Sequence, residues 1–144
     1  MTSFETIGEP GRLGAVTDFV RQAARRAGFD EEDLLTVDLI VEEIFLNIAM
    51  HGYQGKQPGL VAIHCDSSRR GELTIQSQDC ADAFNPLNGE NQALDVPLSE
   101  RREGGLGLVL VKNIAESISY RWVEGRNELT VRMVSRHLDR AAGE

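Results

Sequence analysis

Several ingredients are scarce in this chain, and each scarcity closes off a class of function. Its two cysteines, Cys65 and Cys80, have neither metal-site spacing nor the density of a disulfide framework, so a reduced, cytoplasmic setting is expected. Basic residues are outnumbered: 15 Lys and Arg against 23 Asp and Glu give a formal net charge of −8. That balance argues against direct nucleic-acid binding, which depends on a basic surface. Arg25-Arg26, Arg69-Arg70 and Arg101-Arg102 are pairs rather than a stripe. No apolar run approaches bilayer length and the N-terminus lacks signal-peptide architecture, so no membrane partner is expected. Internal repeats and composition breaks are also missing, and residues 1–144 are read as one domain. At 41% hydrophobic and 26% charged, the chain has the composition of a globular protein with a real core.

What is present is organised around Val37 to Gly52, which reads as one helix. At about 100° per residue, Val37, Ile40, Val41, Ile44 and Ile48 share an apolar arc, and Asp38 and Glu42 fall on the opposite, solvated side. Glu43 and Asn47 do neither. They stack one turn apart between Ile40 on one flank and Leu39 and Leu46 on the other, where an unpaired carboxylate or amide is costly. A satisfied polar pair in the core explains them as well as a functional site does, as long as this helix is considered alone.

The remaining elements fall into place around it. Residues 1–8 offer a short edge strand at most. Leu13, Val16, Phe19, Val20 and Ala23 form the stripe of a helix from about Arg12 to Ala27, with Gly28 as its stop. Asp30 to Asp33 place acids at the start of the second helix, where its dipole favours them. Tyr53 to Gly59 is a loop, and Leu60–Cys65 and Glu72–Ser77 form a hairpin. From Asp79 to Glu103 no periodicity emerges, and a connection of that length is usually functional. A helix from Leu108 to Ser117, a strand over Ser119–Val123, a turn over Glu124–Asn127 and a strand over Glu128–Val134 follow. The tail after Ser135 is polar and expected to fray. Hairpins beside several helices require a two-layer α/β sandwich, a mixed, mostly antiparallel sheet with helices on one face.

Three constellations carry chemistry: Glu43 with Asn47, the run Asp79 to Pro86 after a strand, and Gly104-Gly105-Leu106-Gly107 opening a helix. A glycine-lined helix start presents backbone N–H groups to an anion. Each has a plainer explanation, namely a core pair, a turn aspartate and a flexible helix entry. His51 reads as a cap-region residue, His64 as a polar-face strand residue, Cys80 as an inert small residue, and Tyr120 and Trp122 as sheet packing.

In order and spacing, Glu43-Ile44-Phe45-Leu46-Asn47, Asp79 through Phe84, and Glu103 through Leu108 resemble the N box and the first and second glycine boxes of the GHKL ATPases, the Bergerat fold. His51-Gly52-Tyr53, Gly105-Leu106-Gly107-Leu108-Val109-Leu110-Val111 and Gly125-Arg126-Asn127-Glu128-Leu129-Thr130 make the chain similar to the single-domain anti-sigma-factor serine kinases (RsbW-like), over roughly Leu13 to Val134. The resemblance implies ATP and Mg2+ as cofactors. It implies Asn47 as the metal-holding amide, Glu43 as catalytic base or orienter, and Asp79 as acceptor for the adenine amine. Ala81, Phe84, Gly104, Gly105, Leu106, Gly107 and Leu108 would complete the nucleotide site, with residues 87–102 as lid. It further implies serine phosphorylation of a STAS-type anti-anti-sigma factor, sequestration of a sigma factor, and a homodimer. One departure stands out: where the family has glycine, this chain has Ala81, and alanine would cost about 1 kcal/mol if that position requires positive φ. The rival reading is a non-catalytic partner-switching module; a third is hydrolysis with water as nucleophile at the same site.

Overall fold

The computed structural model describes residues 1–53, 57–83, 85–89 and 111–136. Phe84, Gly104, Gly105, Leu106, Gly107 and Leu108, expected to line the nucleotide site, and most of the expected lid lie outside those residues.

Period-two alternation produces five strands: β1 (Thr2–Ile7), β2 (Leu60–Asp66), β3 (Glu72–Asp79), β4 (Ser117–Val123) and β5 (Arg126–Val134). They form one sheet in the order β1-β2-β3-β5-β4, and every described pairing is antiparallel. The short N-terminal strand is an edge, as its length implied. The last hairpin turns on Glu124 and Gly125, both at positive φ (52° and 77°), the conformation that matches the twist of a two-residue hairpin loop. Asn127 therefore belongs to β5 and not to the turn expected from sequence, and Ser117 belongs to β4 and not to the preceding helix. Pairing to the long, regular β5 extends both ends beyond what local propensity indicated.

Two helices lie on one face, α1 (Leu13–Arg26) and α2 (Glu31–Asn47). Val16, Val20, Ala23 and Ala24 of α1 are buried, as are Val37, Ile40, Val41 and Ile44 of α2. Between helices and sheet they meet the inward-facing Val61, Ile63, Leu73, Ile75, Val131 and Met133. Phe4 of β1 stacks on Phe19 of α1 at 5.3 Å, fastening the edge strand. Asp38, expected to be merely solvated, receives a two-pronged bond from Arg21 at 2.8 Å that ties α1 to α2. No described helix is long and apolar enough to cross a membrane.

The start of α2 is a capping box. Asp30 accepts from the Asp33 N–H, and the Asp33 side chain accepts in return from the Asp30 N–H. Asp33 also accepts from the Ser135 hydroxyl at 2.6 Å and from the Arg136 N–H at 3.2 Å. The chain after β5 is thereby anchored at the helix start at Ser135 and Arg136; the rest of the tail expected to fray, residues 137–144, lies outside the described residues.

The other face of the sheet is polar. One side chain per strand links into a row: Ser3 to His64, His64 to Gln78, Gln78 to Glu128, and Arg121 to Glu128. The Arg121 guanidinium, with help from Gln78, holds the Glu128 carboxyl below its ordinary range. His64 is thus a polar-face residue, as read from sequence.

Candidate functional site

The site forms where the C-terminal end of α2 meets the end of β3. Helix α2 does not stop at Asn47 but continues as a π-helical turn, Ile48–Gly52, closed by the Tyr53 N–H on the Ile48 carbonyl at 3.2 Å. Such widened turns recur at functional sites because they shift the register of one helix face. Here the widened turn sits directly after Asn47.

Tyr53 fixes that helix end against the sheet. Its hydroxyl donates to the Leu60 carbonyl at 3.0 Å and accepts from the Cys80 N–H at 2.9 Å. The ring fits only because its neighbours lack side chains: a Cβ on Gly59 would stand 2.8 Å from the ring, and one on Gly8 3.0 Å. One phenol therefore joins the helix carrying Asn47, the start of β2 and the residue after Asp79.

Asp79 is the inward-facing last residue of β3, 6% exposed. One carboxylate oxygen, Oδ1, accepts from the Ala81 N–H at 3.0 Å and from the Asn127 amide at 2.9 Å. The other oxygen, Oδ2, has no hydrogen-bond partner among the described residues. Burial raises the Asp79 pKa, against the lowering effect of its two donors. The ionised carboxylate therefore weighs against folding, and that cost eases as pH falls toward the group's raised pKa.

Asn127 is the residue that sequence reasoning missed. Its amide nitrogen contacts Asp79 Oδ1, the Ala81 carbonyl (3.2 Å) and the Asp82 carbonyl (3.1 Å), and its oxygen accepts from the Tyr120 hydroxyl at 2.6 Å. Three acceptors on one side and a hydroxyl on the other fix which end of the amide is which. A signal existed: Leu129, Val131 and Met133 share one face, and one further step of the same alternation places Asn127 inward, opposite Asp79.

Asn47, Ile44, Ser77, Asp79, Tyr120 and Asn127 line one cavity together with Ile48, Gly52, Pro86 and Leu129. The structure thus brings Asn47 and Asp79, predicted from separate motifs, into the lining of the same space. The cavity measures about 30 Å3, the scale of one ordered water. Among the lining residues, Pro86, in the short turn Pro86–Gly89, lies outside the sheet, α2 and the π-helical turn that continues it. Glu43 lies one turn back from Asn47, half-buried and outside the cavity lining. Desolvation, with a smaller contribution from Glu42, raises its pKa, the direction that suits a proton acceptor near neutral pH.

Ala81 is not strained. Glu124 is the only described non-glycine residue at positive φ, so the conditional cost attached to alanine does not arise. The Ala81 methyl is buried in the core, 3.5 Å from where a Cβ on Gly52 would stand. Cys80 is exposed, and burial pushes the Cys65 thiol up to about 12, far from a reactive thiolate. Trp122 is 47% exposed, so it is not the sheet-packing residue expected, whereas Tyr120 packs against the core and holds Asn127.

The chemistry fits an adenine nucleotide on one specific ground: a buried carboxylate oxygen left open beside a cavity asks for a hydrogen-bond donor, and an exocyclic amine is one. Among the described residues no group of three His, Cys, Asp or Glu side chains surrounds a common point. A hard cation here would need its remaining ligands from phosphate and water, with an amide such as Asn47 as the protein donor.

Comparison with known proteins gives the same class. Residues 8–133 match the family described as the histidine kinase-like ATPase domain, and the chain belongs to that family. Its fold, a five-stranded antiparallel sheet under helices, is the Bergerat type. Among curated proteins it is similar to the serine/threonine-protein kinase BtrW of Bordetella bronchiseptica, 27% identical over 67% of each chain. It is also similar to the serine-protein kinase RsbW of Bacillus cereus, 24% identical over 78% of this chain and 72% of that one. The RsbW of Bacillus anthracis matches at the same identity and coverage.

Two substitutions test this geometry. Ala81→Gly, which restores the family's usual residue, is expected to destabilise the protein by about 1–2 kcal/mol, because it removes a buried methyl and frees the backbone where no positive φ is needed. Denaturant unfolding reads the change. Asn127→Ala strips a donor from three acceptors and is expected to cost about 1–3 kcal/mol of stability. It should also raise the Asp79 pKa further, and a calorimetric titration should show ADP binding weakened by about tenfold.

Proposed function

We propose that this protein is an ATP- and Mg2+-dependent protein serine kinase, acting as one domain over residues 1–144. Its substrate is a serine hydroxyl on a STAS-type anti-anti-sigma factor, and its second partner is a sigma factor that it sequesters as a homodimer. The observation that carries the proposal is that Asn47 and Asp79 line one cavity, with one Asp79 oxygen lacking a hydrogen-bond partner among the described residues. Membership of the histidine kinase-like ATPase family and similarity to proteins named as serine kinases support the reaction class. The STAS and sigma partners, the cytoplasmic setting and the dimer rest on the sequence resemblance.

When bound, ATP supplies the transferable γ-phosphoryl group and Mg2+ offsets its charge. The chain's own groups then have separate tasks. Asp79 Oδ2 accepts the adenine amine, and Asn127 keeps that carboxylate from rotating. Asn47 offers a neutral oxygen to the metal. Gly104, Gly105 and Gly107 offer N–H groups to phosphate, with Phe84, Ala81, Leu106 and Leu108 shaping the pocket. Glu43 takes or orients the proton of the attacking serine, and its raised pKa places it closer to the pH at which transfer must occur. Phosphoryl transfer asks chiefly for such positioning and charge neutralisation.

The test is incubation with radiolabelled ATP, Mg2+ and a STAS-domain protein encoded beside this one. Label on a partner serine is expected, and Glu43→Gln should reduce transfer by about 100-fold or more while leaving ADP affinity within about twofold. Removing a desolvated charge should leave the melting temperature of that variant unchanged or higher. Nucleotide uptake without transfer would replace the kinase with a non-catalytic switch, and phosphate release without a partner would replace it with a hydrolase.

A further inference from the structure

The row of side chains on the polar face of the sheet has a direction. Glu128, held ionised beside Arg121, can only accept. The Gln78 amide therefore turns its nitrogen to Glu128 Oε2 at 2.8 Å and its oxygen to His64 Nε2 at 3.1 Å. A carbonyl oxygen cannot donate, so Nε2 carries the hydrogen of the neutral imidazole and the ring's lone pair falls on Nδ1. Nδ1 lies 2.7 Å from the Ser3 hydroxyl, which therefore donates to it. From the carboxylate outward the row runs through amide and imidazole and ends on a hydroxyl exposed to solvent. A hydroxyl within reach of a base, with the base oriented by a third group, is the arrangement that activates a serine as nucleophile.

We propose that Ser3 is a nucleophilic serine that takes acyl groups from activated esters, with His64 as its base. In that step Ser3 Oγ attacks the ester carbonyl, and the new Oγ–C bond replaces the bond to the leaving oxygen. The hydroxyl proton passes to His64 Nδ1 and from there to the leaving oxygen, so no oxidant or reductant is involved. While Nδ1 holds the proton the ring is cationic. Its Nε2–H still rests on the Gln78 carbonyl, with the Glu128 carboxylate one amide further along. The charge around the hydroxyl selects an acyl group over a phosphoryl group. Glu5 stands two residues from Ser3 and Asp66 two residues from His64, both on the same face. From β3 that face presents the uncharged Thr74, Gln76 and Gln78. Among the cations, Arg121 is engaged by Glu128, and the N-terminal ammonium and Arg69 act on Asp66. The three carboxylates Glu5, Asp66 and Glu128 repel a phosphate donor and leave an uncharged ester unopposed. This site lies on the face of the sheet away from α1 and α2 and is independent of the nucleotide reading.

The experiment treats the full chain with p-nitrophenyl acetate, follows release of p-nitrophenol and locates acetyl groups by mass spectrometry of peptides. Wild type, Ser3→Ala and His64→Gln are compared, and the melting of each is recorded. The expected result is an acetyl ester on Ser3, absent from Ser3→Ala and formed about 100-fold more slowly in His64→Gln at unchanged melting. Its rate should rise from about pH 5 and level off by about pH 8, as the imidazole loses its proton and frees the Nδ1 lone pair. Acetyl found only on the N-terminal amine, on lysine or on other hydroxyls overturns the inference. So does Ser3 acetylation at equal rates in wild type and His64→Gln, the behaviour of an ordinary exposed hydroxyl. A slower reaction together with lowered melting overturns it in favour of a bond that only holds β1 to β2. Should His64→Gln not fold, the wild-type profile decides: a rate that keeps climbing with hydroxide above that range overturns the inference, and a plateau supports it. Label passing to Ser3 from ATP and Mg2+, with no reaction toward the ester, overturns the acyl class.

Discussion

A half-satisfied carboxylate sets the terms for the whole molecule. Asp79 is buried, so its ionised form is expensive, and Asn127 and the Ala81 N–H offset part of that cost at one oxygen only. Completing both oxygens would stabilise the fold, yet the second has no partner among the described residues, and Asp79 lines a cavity. Evolution tolerates such an omission where a ligand completes the network. The Ser77 side chain likewise is buried with no hydrogen-bond partner among the described residues, and Glu43 is partly desolvated. Asp79 and Ser77 line the same cavity at one end of an otherwise conventional core, and Glu43 lies outside its lining.

The rest of the fold holds that end rigid. The sheet presents Asp79 and Asn127 from adjacent paired strands, so their approach is set by register and not by loop conformation. The Tyr53 hydroxyl bonds the Leu60 carbonyl and the Cys80 N–H, which prevents the widened end of α2 from drifting away from β3. At the opposite end of α2, Asp33 binds the chain that leaves β5. The helix bearing Asn47 is thus fixed to the sheet at both ends. The polar row from Ser3 to Arg121 pairs side chains on the other face of the sheet with one another.

Much of this was legible in the sequence, because it depends on periodicity. The apolar stripes of α1 and α2, the β2–β3 hairpin and the edge character of β1 follow from patterns of 3.6 and 2, which burial enforces wherever a face meets the core. Asn47 was singled out as a polar intrusion into a helical pattern, and Asp79 as an acid directly after a strand. What escaped depends on backbone details that no pattern encodes. Glu124 adopts positive φ where asparagine or glycine would advertise it, which hid the tight turn and left Asn127 misplaced by one element. Ala81 looked strained because a family habit of glycine was taken to imply a left-handed backbone, and the observed backbone does not need one. Ser77 was read as ordinary strand alternation, since only the lack of a side-chain partner among the described residues makes it unusual, and partners are tertiary facts. The π-helical turn after Asn47 gave no sequence signal beyond its closing His51-Gly52-Tyr53.

The account stands on the open oxygen of Asp79 serving as the acceptor for an adenine amine. Calorimetric titration of ADP into the wild type and Asp79→Asn, at neutral and then mildly acidic pH, addresses that claim directly. The account predicts binding by the wild type that weakens as acid protonates the carboxyl, and binding by the variant about 100-fold weaker at neutral pH, with no comparable acid-dependent loss. Equal affinity of the two proteins for ADP across that range would contradict it.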